Sequence, residues 1–327
     1  SDLSWWGHAS VLLAYMPIAA GGWVFALTLG TDGSALANLG IGASYLLSAT
    51  TARPRRGWET NAALLILAVG LMVAARNIAA GYVLYAVGLG VLRPRLIASV
   101  RPKGDSTVES NRAFALFGTT INAAFVLGPL LADVARQSYG WPVAFLVLSI
   151  AVLLPGIFSV FSLAGEKPTS PQKITRTAAL LVVLLYAVQG QITSLLPVVA
   201  EKAGVLTAGQ TTAWHGCTAI VAGWVYRRWL AGSAYDSRRV ALLLWSVSFA
   251  LLAAPWGVGL LLVVFGLLSL GEVILSAHLL TVAGAHPAYW LCAAIGYGAS
   301  SIFAHSFLAL LWSAICVVAL LVCRESH

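Results

Sequence analysis

Residues 260–280 read LLLVVFGLLSLGEVILSAHLL. The run is long enough to cross a bilayer as one helix, because about 20 apolar residues span the hydrocarbon core. A single formal charge interrupts it, Glu272, and no other lies between Arg239 and Arg324. A carboxylate at the centre of a membrane helix costs roughly 2.5–3.5 kcal/mol on insertion scales. A residue that costly is expected to serve as a proton relay, a substrate contact or the counter-ion to a buried cation. The plainer alternative is a protonated Glu272 hydrogen-bonded to a neighbouring helix.

The rest of the chain has the same character. Of its 327 residues 60% are hydrophobic and 9% charged, where a soluble domain carries about 25% charged residues. Mean hydropathy is +0.88. No water-soluble core hides that much apolar surface, so the chain reads as an all-α polytopic membrane protein with the lipid bilayer around it. The net charge of +8 would suit nucleic acid, but the arginines are spread through short loops, where topology explains them. The four cysteines, Cys217, Cys292, Cys316 and Cys323, lie in apolar stretches without CxxC or metal-ligand spacing. The sequence starts without Met, directly in an apolar segment, which leaves room for residues upstream; no cleavable signal is visible.

Apolar runs between turn and charge signals predict twelve helices, at 4–28, 33–52, 59–75, 78–100, 111–135 and 140–164, then 177–200, 208–231, 239–254, 257–283, 287–304 and 305–323. Several are shorter than the ~20 residues of a full crossing. Charge placement tests the count. With the N-terminus cytoplasmic, the inner segments hold fourteen basic residues: Arg53, Arg55, Arg56, Arg101, Lys103, Arg112, Lys167, Lys173, Arg176, Arg227, Arg228, Arg238, Arg239 and Arg324. The outer loops hold three, Arg76, Arg136 and Lys202. That asymmetry is the positive-inside bias of a chain with both termini cytoplasmic, in a cell inner membrane.

The polar stretch AGEKPTSPQKITRT (164–177) divides the chain near its middle, and RPRRGWE (53–59) is echoed by YRRWLAGSAYDSRR (226–239). A six-helix bundle over 1–164, a cytoplasmic linker over 165–176 and a second bundle over 177–327 resemble the major facilitator architecture. In that layout Arg93 and Glu272 fall near mid-helix on helices four and ten, one in each half. Opposite charges across a common cavity cost less than either alone in hydrocarbon, and could hold the two ends of a zwitterion. The alternative is an ion pair, or separate local hydrogen bonds, that pins the halves together. Arg95, two residues on, is rotated about 200° and belongs to another face. Of the scattered histidines, His278 lies six positions after Glu272 but about 240° around the helix. Asp133 reads as an interfacial acid with Arg136 one turn on. No Ser-His-Asp spacing, phosphate loop, haem motif or metal-ligand cluster is visible, so no enzyme, cofactor or metal is expected. One acid and one arginine do not make the ring of a channel.

Five segments resemble one family in order along the chain. SDLSWWGHASVLLAYM (1–16) resembles the first helix of proton-dependent oligopeptide transporters, which reads like ERFSYYGMRAILVLYM. VGLGVLRPRLIASV (87–100) is similar to their glycine-rich fourth helix, and NRAFALFGTTINAAFVLGPLLADVARQSYGWPVAF (111–145) to their fifth. GQITSLLPVVAEKAG (190–204) resembles the seventh helix, and LLSLGEVILSAHLL (267–280) the tenth.

The resemblance implies a secondary transporter of peptide-like or zwitterionic solutes, proton-coupled. It implies Arg93 in place of a lysine that meets the peptide carboxylate, Glu272 at the amino end and as proton carrier, and Asn122, Gln191, Trp5 and Trp6 as further contacts. Departures accompany it. The family's first-helix acids have only Asp2 in their region, its seventh-helix glutamate aligns with Gly190, and TTARPRRG (50–57) lacks the facilitator Asp. These losses support a second reading, a non-transporting member of the same fold kept as a subunit or scaffold beside partner membrane chains.

Overall fold

The computed structural model describes residues 5–30, 32–51, 58–100, 107–159, 174–230, 237–254, 257–283, 286–302 and 309–322. Among these, all regular structure is helical. The order is α1 (Trp5–Thr28), α2 (Gly33–Thr51), α3 (Trp58–Ala74), α4 (Ile78–Val100), α5 (Thr107–Tyr139), α6 (Trp141–Ser159), α7 (Arg176–Lys202), α8 (Ala208–Val225), α9 (Ser237–Leu251), α10 (Val258–Ala283), α11 (Pro287–Ile302) and α12 (Ala309–Val322). A π turn, Gln191–Leu195, interrupts α7, and a second, Tyr226–Leu230, extends α8.

Twelve helices match the expected number, with different bounds. The fifth runs for 33 residues instead of stopping at 135, so Asp133 and Arg136 are helical. Pro129 inside it removes one backbone bond, which membrane helices tolerate when neighbours satisfy the freed carbonyl. The twelfth has 14 residues. Residues 303–308 and 165–173 of the expected linker lie outside the described residues, as do Arg53, Arg55, Arg56, Arg101, Lys103, Lys167, Lys173 and Arg324. Four helices are long and apolar enough to cross a membrane, over Gly7–Thr28, Ala113–Tyr139, Arg176–Lys202 and Val258–Leu280. The apolar helices Trp58–Ala74 and Trp141–Pro155 are shorter.

Packing follows a repeat. Helix α1 packs on α2, α5 and α6, α2 packs on α4, and α3 packs on α4 and α6. Six helices later most of the partners recur, with α7 on α8 and α11, α8 on α10, and α9 on α10 and α12, while the packing of α1 on α6 has no comparable counterpart among the described residues. Two further pairs, α2 with α11 and α5 with α8, exchange under the same shift. The pattern is that of a partial internal repeat. Small residues permit it. A Cβ at Gly22 of α1 would meet the Thr193 carbonyl of α7 at 2.7 Å, so only glycine allows this approach.

Candidate functional site

Helices α1, α2, α4, α5, α7, α10 and α11 enclose a cavity of about 130 Å³. Arg93 enters it from α4 and Glu272 from α10. Arg93 is 7% exposed, and its guanidinium carbon lies 4.1 Å from the centroid of the Tyr45 ring. Its Nη1 is 3.5 Å from Ser44 Oγ. Among the described residues no carboxylate comes within ion-pair distance of it. A desolvated cation over an aromatic face gains about 2 kcal/mol, which fixes the group without neutralising it. Tyr45 is itself clamped by Tyr186 at 4.8 Å and Tyr297 at 5.4 Å between ring centroids. The Tyr186 and Tyr289 hydroxyls stand 3.0 Å apart. Arg95 turns away, as its rotation predicts, and pairs with Glu59 of α3.

Glu272 has partners of its own. Its Oε1 accepts a 2.6 Å hydrogen bond from Gln189 Nε2 of α7. Its Oε2 lies 3.2 Å from Nε2 of His215 on α8. That contact is within ion-pair distance but off the line of a hydrogen bond, so Oε2 is buried without one. The other ring nitrogen of His215, Nδ1, is 2.8 Å from Ser269 Oγ. Gly271 sets the depth of the carboxylate, because a Cβ there would meet the Trp245 indole Nε1 of α9 at 2.7 Å. Arg93 and Glu272 thus share a cavity but are not each other's partners. Of the alternative reading, the ion pair is absent among the described residues, while Glu272 does make a local hydrogen bond, to Gln189.

The remaining expected residues divide. Asn122 of α5 lines the cavity. Gln191 does not, since it stands two residues beyond Gln189 and therefore about 200° around α7. Its Nε2 donates to Ser300 Oγ of α11 at 2.9 Å. Asn38 of α2 joins it there, donating to the same Ser300 oxygen at 3.1 Å, and Ser194 Oγ is 2.5 Å from Asn38 Oδ1. Gln191 is thus part of a helix-joining network. Trp5 and Trp6 open α1, and their side chains lie outside the described residues. His215 and Gln189 are not found by the sequence reading. The signal was three polar stripes: Ser269–Glu272–Ser276 on α10, Thr211–His215–Thr218 on α8, and Gln189–Thr193 on α7. Each keeps helical spacing on one face of an otherwise apolar helix.

A charged cluster stands beyond one end of the cavity. At the C-terminal ends of α5 and α7, Arg136 binds Asp133 at 2.5 Å and Glu201 at 2.7 Å. Its guanidinium lies 5.4 Å from the Trp23 ring and 5.1 Å from the Trp141 ring. Thr207, which caps α8, donates to Asp133 at 2.6 Å, and the Ala208 amide donates to Glu201 at 2.7 Å. The cavity extends the other way, past Ile97, Phe114 and Leu280. These lie near the end of α4, the start of α5 and the end of α10.

No protein-family model matches the sequence, and no curated protein does. Solved structures do match. A POT family transporter in complex with a thioalcohol-conjugated peptide superposes with a TM-score of 0.77 at 12% identity, over 98% of this chain and 94% of that one. The POT family transporter PepTSo gives 0.75 at 12% identity, over 98% and 96%. The human organic anion transporter MFSD10 gives 0.71 at 16% identity, over 97% of each chain. At these identities the likeness establishes the fold, a divergent form of the one shared by POT family and related membrane transporters.

Proposed function

We propose that this chain is a secondary active transporter of small peptide-like or zwitterionic solutes, coupled to protons. The reading has two six-helix halves, 1–164 and 177–327, joined by a cytoplasmic linker at 165–176, in a cell inner membrane. Both termini are then cytoplasmic, the Arg136 cluster faces outward, and the cavity runs toward the cytoplasm. One observation carries the reading: a cation without a carboxylate partner among the described residues and a deeply placed acid line the same cavity from helices four and ten. Arg93 offers a planar fork suited to a carboxylate and cannot release a proton near neutral pH. Glu272 then receives the amino end and carries the proton, with Asn122 beside them. Trp5 and Trp6 enter as aromatic contacts on the strength of the family resemblance alone, and Gln191 supports α7 against α11.

Uptake of labelled dialanine into proteoliposomes under an imposed proton gradient tests this. Gradient-driven uptake that Glu272→Gln abolishes is the expected result. Uptake unchanged in that variant refutes the proton role, and no uptake by the intact protein turns the reading to the non-transporting subunit.

A second reading of the solute has its own observation. Glu272 is already engaged by Gln189 and His215, whereas Arg93 is not engaged by an acid. A small organic anion with one carboxylate and no ammonium would satisfy such a site. Competition by N-acetyl-dialanine as strong as by free dialanine favours the anion; weaker competition favours the zwitterion.

A further inference from the structure

The contact between His215 and Glu272 requires a proton. Ser269 Oγ has four polar neighbours, the Phe265 carbonyl at 2.6 Å, His215 Nδ1 and Thr218 Oγ1 at 2.8 Å each, and the His215 carbonyl at 3.3 Å; the shortest contact is to a group that can only accept, which takes the single hydroxyl hydrogen. The same oxygen, 2.8 Å from His215 Nδ1, must then accept from it, which assigns the ring hydrogen to Nδ1 in the neutral form. Nε2 is left as a lone pair, 3.2 Å from Glu272 Oε2. An ionised carboxylate and a neutral imidazole facing each other this way are two acceptors without a donor. One proton removes the conflict, either on Nε2 as an ion pair or on Oε2 as a neutral carboxyl group.

We propose that the proton-binding site of this chain is the His215–Glu272 pair, which holds one proton, on Nε2 or on Oε2, and thereby holds α8 against α10. The proposal rests on the reading of the chain as a proton-coupled transporter and assigns the proton to two helices instead of one residue. The two groups divide the work by exposure, 16% for Glu272 and 2% for His215. The proton enters from the cavity through the carboxylate, and the imidazole stores it away from water. Loss of the proton leaves two acceptors in contact, which favours parting of α8 from α10 and couples occupancy to conformation. Neighbouring helices bring Gln189 and Tyr186 from α7, Arg93 from α4, Tyr297 from α11 and Tyr15 from α1 to the same cavity. Helix α5 contributes Asn122 and the Phe125 edge, 5.8 Å from the His215 ring; its charged pair, Asp133 and Arg136, is tied up with Glu201 at the far end. From α9, Trp245 packs at Gly271, and that helix carries Arg238 and Arg239 in its first turn. His8 of α1 is held by Thr120 of α5 at 2.8 Å.

Two measurements test the pair independently. In purified protein, an infrared pH titration isolates the carboxyl signal that Glu272→Gln removes. In His215→Gln that signal is expected to titrate at a shifted pH, because interacting sites titrate as a pair; an unshifted midpoint overturns the proposal. In proteoliposomes, His215→Gln is expected to lose gradient-driven dialanine uptake at least tenfold while retaining dialanine counterflow, which needs no net proton movement. Gradient-driven uptake at the unmodified rate overturns it. Ser269→Ala guards against a folding defect, since it leaves both members of the pair in place and removes the acceptor that fixes the ring hydrogen, together with the Ser269 contact to Thr218. It is expected to shift the same infrared midpoint, and an unshifted one overturns the tautomer argument. If the unmodified protein transports nothing, the transport reading has failed, and the infrared arm still decides the proton site.

Discussion

Arg93 is a cation buried against a ring, and its geometry sets what a substitution does. The Tyr45 face stands 4.1 Å away and stabilises a flat, weakly hydrated guanidinium better than a compact ammonium. Arg93→Lys keeps the charge but loses the stack and the two-pronged donor set, about 1–2 kcal/mol in all. Affinity for a carboxylate-bearing solute is therefore expected to fall roughly tenfold, read as a displacement curve against labelled dialanine; an unchanged affinity removes Arg93 from the site. Arg93 and Glu272 were legible in the sequence because a charge in an apolar helix stands out by cost alone. Asn122 was legible only through the family resemblance. His215 and Gln189 were legible only as members of polar stripes, since an uncharged polar residue in a membrane helix carries little penalty and its partner on another helix is invisible until the helices are packed.

At the scale of elements, the π turn of α7 sits where the chain joins its neighbours. The Leu196 amide reaches back to the Gln191 carbonyl, a five-residue step that widens the helix. Around it Asn38, Gln191, Ser194 and Ser300 bind α2, α7 and α11 together, all four of them fully buried or nearly so. Asn38→Ala removes the bonds to Ser194 and Ser300 and costs about 1–3 kcal/mol, two net hydrogen bonds at about 0.5–1.5 kcal/mol each, while Ser194 still donates to the Gly190 carbonyl and Ser300 still accepts from Gln191. The thermal unfolding midpoint in detergent is expected to drop; an equal or higher midpoint contradicts the network's role. Helix number was legible from apolar runs, while helix length was not. The expectation ended the fifth helix at 135 because Arg136 reads as a loop charge. The structure keeps it helical because two carboxylates and two indole rings are positioned to receive it.

For the whole molecule, the pairs α2–α11 and α5–α8 join the repeated sets of helices, and the Arg136 cluster ties α5 to α7 and α8 at one end only. The resemblance to facilitator-type transporters made the helical transporter fold legible in the sequence; the charged cluster was not, because it depends on Glu201 and Asp133 meeting one arginine from different helices. Under the proposed topology that end faces outward. Arg136→Ala leaves Asp133, 6% exposed, and Glu201, 27% exposed, facing each other without a cation. Breaking such a pair costs roughly 3 kcal/mol, about a hundredfold in the balance between shut and open outer ends. A Thr193→Cys probe in the cavity wall reports this once Cys217, Cys292, Cys316 and Cys323 are replaced. A membrane-impermeant thiol reagent applied outside is expected to label it slowly in the otherwise unmodified chain and many-fold faster with Arg136→Ala. Companion cysteines at positions 55 and 238 are expected to react only from the cytoplasmic side. Outside labelling at either position inverts the topology. Equal labelling of the cavity probe with and without Arg136 means the cluster does not hold the outer end closed.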